Sequence, residues 1–294
     1  MTITLRQLEI FEKVATSQHV TQASEQLLVG QSAVSMAIAE MERQAGSPLF
    51  ERVGKRLILN DRGRQILPQA RKVLTELHMM EQFLAESAGQ PIGTLDVGAS
   101  TTIGNYILPA IVGEFCRRYP KAKALLHVAN AQQVESAVAK GDLDFGLVEG
   151  LAHYGSLTAT PWRGDELVVI VGKDHPWADE RVASLDDLHN ASWIMRERGS
   201  GTREIFEAAM ARQGVTFAVS LELGHTEAIK KAVEAGLGVG CLSRMAVERE
   251  IAHGWLIEVA SQLDLQRSLL ILTRDTQQLT ALSRAFLTLL GDSK

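Results

Sequence analysis

Arg196 and Arg198 run directly into Ser200, Gly201 and Thr202, in the stretch Met195-Arg-Glu-Arg-Gly-Ser-Gly-Thr-Arg-Glu204, and a helical pattern follows at once. The first turn of a helix has unpaired N–H groups and a positive dipole end. Guanidinium groups, hydroxyls and a glycine-loosened backbone placed there can hold a small anion. The same residues can also form a polar turn with an ordinary cap. A second stretch repeats the design. In Gly98-Ala-Ser-Thr-Thr-Ile-Gly-Asn-Tyr-Ile-Leu-Pro109 a strand ends at Gly98, and Ser100, Thr101 and Thr102 open a helix. One such turn reads most simply as a cap. Two of them, in segments expected to form opposed lobes, suggest a shared cleft, because open α/β sheets bind ligands beyond the carboxyl ends of their strands.

Glu149 follows a third strand, Phe145–Val148, and is expected to face the same cleft. A carboxylate there repels an anion unless it is paired or protonated. Arg196 or Arg198 is the expected partner, and the ligand is expected to be small and partly protonated. His225, in Leu223-Gly-His-Thr-Glu227, opens another helix; it either donates a hydrogen bond to the ligand or lies exposed in its loop.

Other chemistries find little support. There is no GxxxxGK[ST], GxSxG or HExxH motif, the eight histidines are scattered, and no cluster has metal-ligand spacing. Gly236-Leu-Gly-Val-Gly240 follows a helix rather than a strand, the reverse of a dinucleotide fingerprint, and reads as a helix C-cap entering a strand. No catalytic residue, metal or cofactor is expected, and an enzyme is disfavoured.

The elements that would position these residues are legible from periodicity. Leu5, Leu8, Phe11, Val14 and Ala15 form a helical stripe over Leu5–Thr16. A short helix fits Thr21–Leu28 with Ala23 and Leu27 inward, Val29-Gly30 breaks it, and Gln31–Gln44 places Val34, Ile38 and Met41 on one face. Two helices around a tight turn suggest a helix-turn-helix, or a generic helical hairpin. Pro48-Leu-Phe-Glu-Arg-Val-Gly-Lys-Arg-Leu-Ile-Leu-Asn60 reads as two strands around Gly54, with Arg52, Lys55 and Arg56 on a basic wing suited to phosphates.

Asp61–Ser87 then reads as one long helix capped by Asn60. Ile66, Ala70, Val73, Leu77, Met80, Leu84 and Ser87 form a heptad seam, which predicts a homodimer or packing on the chain's own first helix. Pro68 is expected to kink the helix near its start. Ser87-Ala-Gly-Gln-Pro-Ile-Gly93 punctuates the chain as a domain boundary. Strands and helices alternate beyond it: strands at Thr94–Gly98, Ala124–Val128, Phe145–Val148, Glu166–Val171, Trp193–Met195, Leu221–Leu223, Val239–Leu242 and Leu269–Leu272, with helices at Thr102–Tyr119, Gln132–Lys140, Thr202–Gln213, Ile229–Ala235 and Leu279–Leu290. That order predicts an α/β class with parallel-type sheets.

The totals fit this plan. A chain of 294 residues, 46% hydrophobic and 22% charged, suggests two globular domains. Residues 1–90 hold 10 basic and 10 acidic side chains, so the net charge of -5 resides entirely in the remainder and no global basic excess points to nucleic acid. Cys116 and Cys241 lack a CxxC and are expected to be buried thiols. The N-terminus turns amphipathic at once, and no apolar run approaches the ~18 residues of a membrane span, so a cytoplasmic location without membrane partners is expected.

Leu5-Arg-Gln-Leu-Glu-Ile-Phe11, Thr21-Gln-Ala-Ser-Glu-Gln-Leu27, Gln31-Ser-Ala-Val-Ser35 and Pro48-Leu-Phe-Glu-Arg52 resemble the N-terminal module of LysR-type transcriptional regulators, and the likeness covers essentially the whole chain. Ser100–Pro109 and Arg196–Glu204, with Glu149-Gly150 and Glu227–Lys230, resemble the CysB/CbbR-like branch and its sulfite-responsive members. The resemblance implies a winged helix-turn-helix DNA-binding domain (1–60), a linker helix (61–90) that dimerises, and an effector-binding domain (91–294). The latter would hold two Rossmann-like α/β subdomains of the type II periplasmic-binding-protein class, one about 91–161 with 267–294, the other about 162–266.

It further implies a homotetramer on an inverted repeat of double-stranded promoter DNA. Gln31, Ser32 and Ser35 would approach bases and phosphates, with Thr21 and Gln22 from the preceding helix and Arg52, Lys55 and Arg56 on the wing. Ser100, Thr101, Thr102, Glu149, Arg196, Arg198, Ser200, Gly201, Thr202 and His225 would surround a small anionic effector. The chain departs from the common pattern at Gly30, where many members have Ser or Thr, at Met36 and Ala37, where many have a basic residue, and at Glu149, where CysB-like members have a hydroxyl. Glu149 argues against a sulfate-type dianion and favours sulfite/bisulfite or a ligand bearing a donor. The reading is a sulfur-oxyanion-sensing regulator. The alternatives are a small-ligand receptor, or an enzyme acting on a small acid, that uses its N-terminal helices only for assembly.

Overall fold

The computed structural model describes residues 3–85, 91–274 and 279–292, in two compact units. The N-terminal unit contains α1 (Leu5–Ser17), α2 (Val20–Gln26), α3 (Gln31–Ala45), β1 (Phe50–Val53), β2 (Arg56–Leu59) and α4 (Asp61–Ala85). Thr4 starts α1 with a capping box completed by Gln7. Ile10, Phe11 and Val14 then close on Ala23, Val34, Ile38, Met41, Leu49, Phe50 and Ala70, with Phe11 edge-on to Phe50 at 5.5 Å. The break between α2 and α3 is a Schellman turn. Val29 N–H reaches Ser24 O at 3.0 Å and Leu28 N–H reaches Glu25 O at 3.3 Å. The left-handed position is Leu28 (φ 53°), not the neighbouring glycine, whose φ is −70° as the N-cap of α3.

Two side chains fix the wing on the helices. Glu42 Oε1 accepts from the backbone N–H of Leu49 (2.8 Å) and Phe50 (3.2 Å). Asn60 caps α4 by accepting from Gly63 N–H and donates to the Pro48 carbonyl, both at 2.8 Å. Helix α4 passes through Pro68 without interruption. Its heptad seam divides. Ile66 and Ala70 pack into the N-terminal core, whereas Val73, Met80 and Leu84 lie on the surface, 45%, 53% and 68% exposed. Ser87 and the boundary residues 87–90 lie outside the described residues.

The C-terminal unit forms two lobes. Its elements are β3 (Gly93–Ser100), α5 (Thr101–Tyr106), α6 (Leu108–Arg118), β4 (Ala122–Ala129), α7 (Ala131–Lys140), β5 (Phe145–Glu149), β6 (Leu157–Gly172), α8 (Trp177–Glu180), α9 (Leu185–Asn190), β7 (Ser192–Arg196), α10 (Gly201–Arg212), β8 (Ala218–Leu223), α11 (Thr226–Glu234), β9 (Val239–Ser243), α12 (Arg244–Ala252), β10 (Leu256–Val259), β11 (Gln266–Arg274) and α13 (Ala281–Asp292). The strand order is β4-β3-β5-β11-β6-β9-β7-β8, with β10 also on β6. The parallel pairs expected from the sequence are β4-β3-β5 in lobe I and β9-β7-β8 in lobe II. β11, β6 and β10 add antiparallel pairs.

Strand β6 belongs to both lobes. Residues 157–166 pair with β11, and 167–172 pair with β9 and β10. Periodicity finds only its apolar second half. The first half, Leu157-Thr-Ala-Thr-Pro-Trp-Arg-Gly-Asp165, is polar and contains Pro161, which sits beside a register shift between Leu269 and Leu270. The single helix expected over Thr102–Tyr119 is two, because Pro109 cannot donate to a continuous ladder; the break falls at Ile107. Cys116 is exposed rather than buried, since Phe115 takes the inward position on α6. Cys241 is buried, and burial pushes its thiol up to about 12.

Candidate functional site

In the N-terminal unit, Thr21, Gln22, Gln31, Ser32, Ser35, Arg52, Lys55 and Arg56 are all exposed. Five of them, Thr21, Gln31, Ser35, Arg52 and Lys55, line one concavity of about 380 Å³ between the start of α2, the face of α3 and the wing. Gly54 (φ 63°) turns the wing, and Leu57 N–H donates to Gln18 O (2.9 Å), tying β2 to the end of α1. Among the described residues Arg52, Lys55 and Arg56 form no ion pair, unlike Arg6, Arg43, Arg64 and Arg71, which do. Cations left unpaired beside a helix N-terminus suit phosphate oxygens.

In the C-terminal unit the two hydroxyl-rich turns do converge. Ser100 ends β3, and Thr101 and Thr102 open α5 in lobe I; Ser200 and Thr202 begin α10 in lobe II; all five are buried. What joins them is Arg267, a residue that reasoning from motifs missed. Its Nη1 donates to Thr202 Oγ1 (3.0 Å) and its Nη2 to Thr102 Oγ1 (3.4 Å), so one guanidinium touches both lobes. Arg267 has no exposed side-chain surface and is balanced by Asp165, its register partner on β6, at 2.7 Å from Nε and 2.6 Å from Nη2. Ser243 donates to the other Asp165 oxygen at 2.9 Å. The signal in the sequence was an arginine and an aspartate at the edges of apolar strand runs, where charge has to be paired to be buried.

The expected pairing of Glu149 is corrected. Its carboxylate is not held by Arg196 or Arg198. It accepts from Ser100 Oγ and lies 3.8 Å from Arg267 Nη1. Arg196 turns instead to its sequence neighbour Glu197, with hydrogen bonds of 2.8 and 2.9 Å. Burial acts to raise the Glu197 carboxyl, but the hydrogen bonds and charge of Arg196 outweigh it and hold the group below its usual range. Arg196 also donates across the lobes to Thr101 Oγ1 (3.2 Å) and, within lobe II, to Thr226 Oγ1 (3.5 Å). His225 is exposed outside this cluster, and the next residue, Thr226, is the one that turns inward.

Arg198 is also exposed. It lines a groove of about 660 Å³ at the mouth of the cluster, with Gln132, His153, Tyr154, Ser200 and Glu204. Ser200 Oγ is buried there without a hydrogen-bond partner among the described residues. Gly199 (φ 85°) makes the turn and accepts from Gln132 N–H of lobe I at 3.1 Å. Gly201 serves a different purpose, since a β-carbon there would collide with the Glu149 carbonyl oxygen. On α5, Tyr106 donates to Glu227 of lobe II (2.8 Å), and burial, then that hydrogen bond, pushes its hydroxyl up to about 12. The arrangement offers hydroxyls, two buried guanidiniums and the first-turn amides of α10 to a small anion. One buried carboxylate, Glu149, can accept a hydrogen bond from a ligand that carries a donor. No group of three or more His, Cys, Asp or Glu side chains suited to a metal occurs among the described residues.

Residues 88–294 match the family model of the LysR substrate binding domain, and residues 5–64 match that of the bacterial regulatory helix-turn-helix protein, lysR family. The uncharacterized HTH-type transcriptional regulator YeiE of Escherichia coli (strain K12) is 43% identical over 288 residues, spanning 98% of this chain and 97% of its own. A full-length OxyR from Pseudomonas aeruginosa superposes with a TM-score of 0.75 at 24% identity, covering 100% and 95% of the two chains. The Synechocystis PCC6803 CcmR regulatory domain, solved in complex with 2-PG, has a TM-score of 0.64 and 31% identity over 68% of this chain and 97% of that one. No helix among the described residues is long and apolar enough to cross a membrane.

Proposed function

This chain belongs to the LysR family of bacterial transcriptional regulators, and we propose that it binds an inverted repeat in promoter DNA and senses a small oxyanion, sulfite first among them, in the interlobe cluster. The observation that carries the sensing half is Arg267, buried and hydrogen-bonded to Thr102 in one lobe and Thr202 in the other. An anion entering between those threonines takes over donors that the two lobes now share. Its affinity is therefore tied to how the lobes stand, which is the condition for a ligand to shift a conformational equilibrium.

Charge narrows the class. Asp165 already neutralises Arg267, and Glu197 already neutralises Arg196. Glu149 shares the Arg267 guanidinium at 3.8 Å, so two carboxylates draw on one cation and a dianion is disfavoured. An oxyanion that keeps a proton, as bisulfite does, can donate to Glu149, which Ser100 holds in place, and accept from Thr202 and Ser200. The CcmR regulatory domain, with its bound 2-PG, supports a small-molecule site in this type of domain. Closure would pass through α4 dimers, assembled as a tetramer, to the spacing of the DNA-binding pairs.

Titration calorimetry with sulfite tests the pocket. Ser100→Ala, Arg196→Ala and Thr202→Ala are expected to weaken sulfite binding while promoter binding persists. Unchanged sulfite affinity in all three removes the cluster as the sensor. DNA contact is tested by the salt dependence of duplex binding. Affinity is expected to fall linearly with log salt, and Arg52→Ala, Lys55→Ala and Arg56→Ala are each expected to reduce the slope by about one.

A further inference from the structure

The outward face of α3 is formed by Gln31, Ser32, Ser35, Met36 and Ala39, opposite the buried Val34, Ile38 and Met41. If this helix enters a major groove, as the DNA-binding reading requires, those five side chains meet the base edges. Their lengths differ in a way that matters. Serine and alanine stop close to the backbone, so only Gln31 and Met36 extend far enough to probe a base pair in depth.

Guanine has no obvious reader on this helix. The commonest specific contact is a guanidinium or ammonium on guanine O6 and N7. Helix α3 has a single cation, Arg43, and Glu40 holds it by two hydrogen bonds of 2.8 and 2.5 Å. The unpaired cations are on the wing, where they suit the backbone rather than the bases. Met36, by contrast, is 67% exposed in the middle of the presented stripe. An unbranched thioether is flexible and polarizable, and it fills apolar recesses of irregular shape. The one apolar feature on a base edge in the major groove is the 5-methyl group of thymine.

We infer that Met36 is a specificity-determining residue of the recognition helix, packing its Sδ and Cε atoms on the 5-methyl group of a thymine in each operator half-site. Gln31, about a turn and a half earlier, is placed to pair with an adenine edge, so the helix discriminates through A·T pairs while the wing supplies sequence-independent affinity. The inference rests on the DNA-binding reading and is independent of the effector.

The experiment uses full-length protein and an operator duplex selected by it from a random library. Each thymine is replaced in turn by deoxyuridine, which removes the methyl group and leaves every hydrogen-bonding atom in place. Binding is followed by fluorescence anisotropy. At one thymine per half-site, deoxyuridine is expected to weaken binding about three- to fivefold, the effect of exposing one buried methyl-sized group. Met36→Ala is expected to lose a similar factor on the thymine duplex and nothing further on the deoxyuridine duplex. Met36→Leu is expected to keep most of the methyl preference. Because the side chain is exposed, unchanged melting temperatures check that the variants fold. Indifference of the unaltered protein to deoxyuridine at every position, or a full methyl penalty surviving in Met36→Ala, overturns the inference while leaving salt-dependent DNA binding intact. Absence of salt-dependent binding to any duplex overturns both the inference and the reading beneath it.

Discussion

His153, in the loop after β5, places its Nε2 2.8 Å from the Glu204 carboxylate in the first turn of α10, so an imidazole of lobe I holds an acid of lobe II. Its backbone N–H also donates to Glu135, a buried carboxylate on α7, at 3.1 Å, and its ring Nδ1 lies 3.4 Å from both Glu135 oxygens. The hydrogen bond to Glu204 raises the imidazole above its ordinary 6.5, burial opposes it, and the charges of Glu204 and Glu135 add to the rise. A raised folded-state value means that the stabilisation is complete below the ordinary value and is lost as pH climbs through the folded one. The ring is half exposed, so solvent screens the effect. From about pH 6 to about pH 9 the melting temperature of the unaltered protein is expected to fall more than that of His153→Gln. Parallel curves by scanning fluorimetry would remove the clasp.

Gly201 touches the Glu149 backbone so closely that any β-carbon collides with it. Gly201→Ala is expected to force the lobes apart locally and to cost about 1–3 kcal/mol, as overpacking does elsewhere. Urea unfolding measures the loss. Sulfite binding should weaken in the same variant, and duplex binding should not.

Arg267 neutralises Asp165 and lies beside Glu149, both nearly inaccessible to water. Arg267→Met leaves two buried carboxylates without their cation and is expected to destabilise the C-terminal unit by about 3–5 kcal/mol. Adding Asp165→Asn should restore part of that loss. A double variant no more stable than Arg267→Met alone would mean that the pair is not coupled.

Met80 and Leu84 continue the stripe of α4 beyond the N-terminal core, and both are more than half exposed. Apolar residues at heptad spacing on a surface call for a second helix. Met80→Glu combined with Leu84→Glu is expected to shift the protein toward monomer in sedimentation velocity. It should also weaken binding to a two-half-site duplex more than to a single half-site.

Long apolar periodicities made most of the architecture legible, because one face of each helix and strand is buried: Val34, Ile38 and Met41 in α3, Ile111 and Phe115 in α6. Polar stretches whose placement depends on distant partners were not legible. The first half of β6 is a strand only because β11 returns beside it, and α8, α9, α12 and β10 carry too little periodic signal. At the candidate site, the hydroxyl turns could be found from local sequence, since Ser100 and Thr202 each open a helix after a strand. Arg267 could not. Its partners Thr102, Thr202 and Asp165 lie 165, 65 and 102 residues away in the chain, and only the fold brings them together. Glu149 shows the converse. Its position beyond β5 was foreseen, but its partner was misassigned, because Glu197, the adjacent residue, takes Arg196 first.

Lobe I is built from segments that flank lobe II in the sequence, and this has a consequence for synthesis. Strands β3, β4 and β5 leave the ribosome first, yet β11 is the neighbour of β5, and α13 supplies Leu282, Phe286 and Leu290 to the core around Phe115 and Phe145. Trp162 Nε1 donates to the Leu290 carbonyl at 2.8 Å, fastening that late helix to the shared strand. A nascent chain therefore carries an N-terminal unit whose core is already complete, tethered to a sensor whose earliest-made sheet waits for its latest-made helix. Until Phe286 arrives, the apolar faces of those strands lack their cover, the kind of exposed surface that makes incomplete chains prone to aggregate.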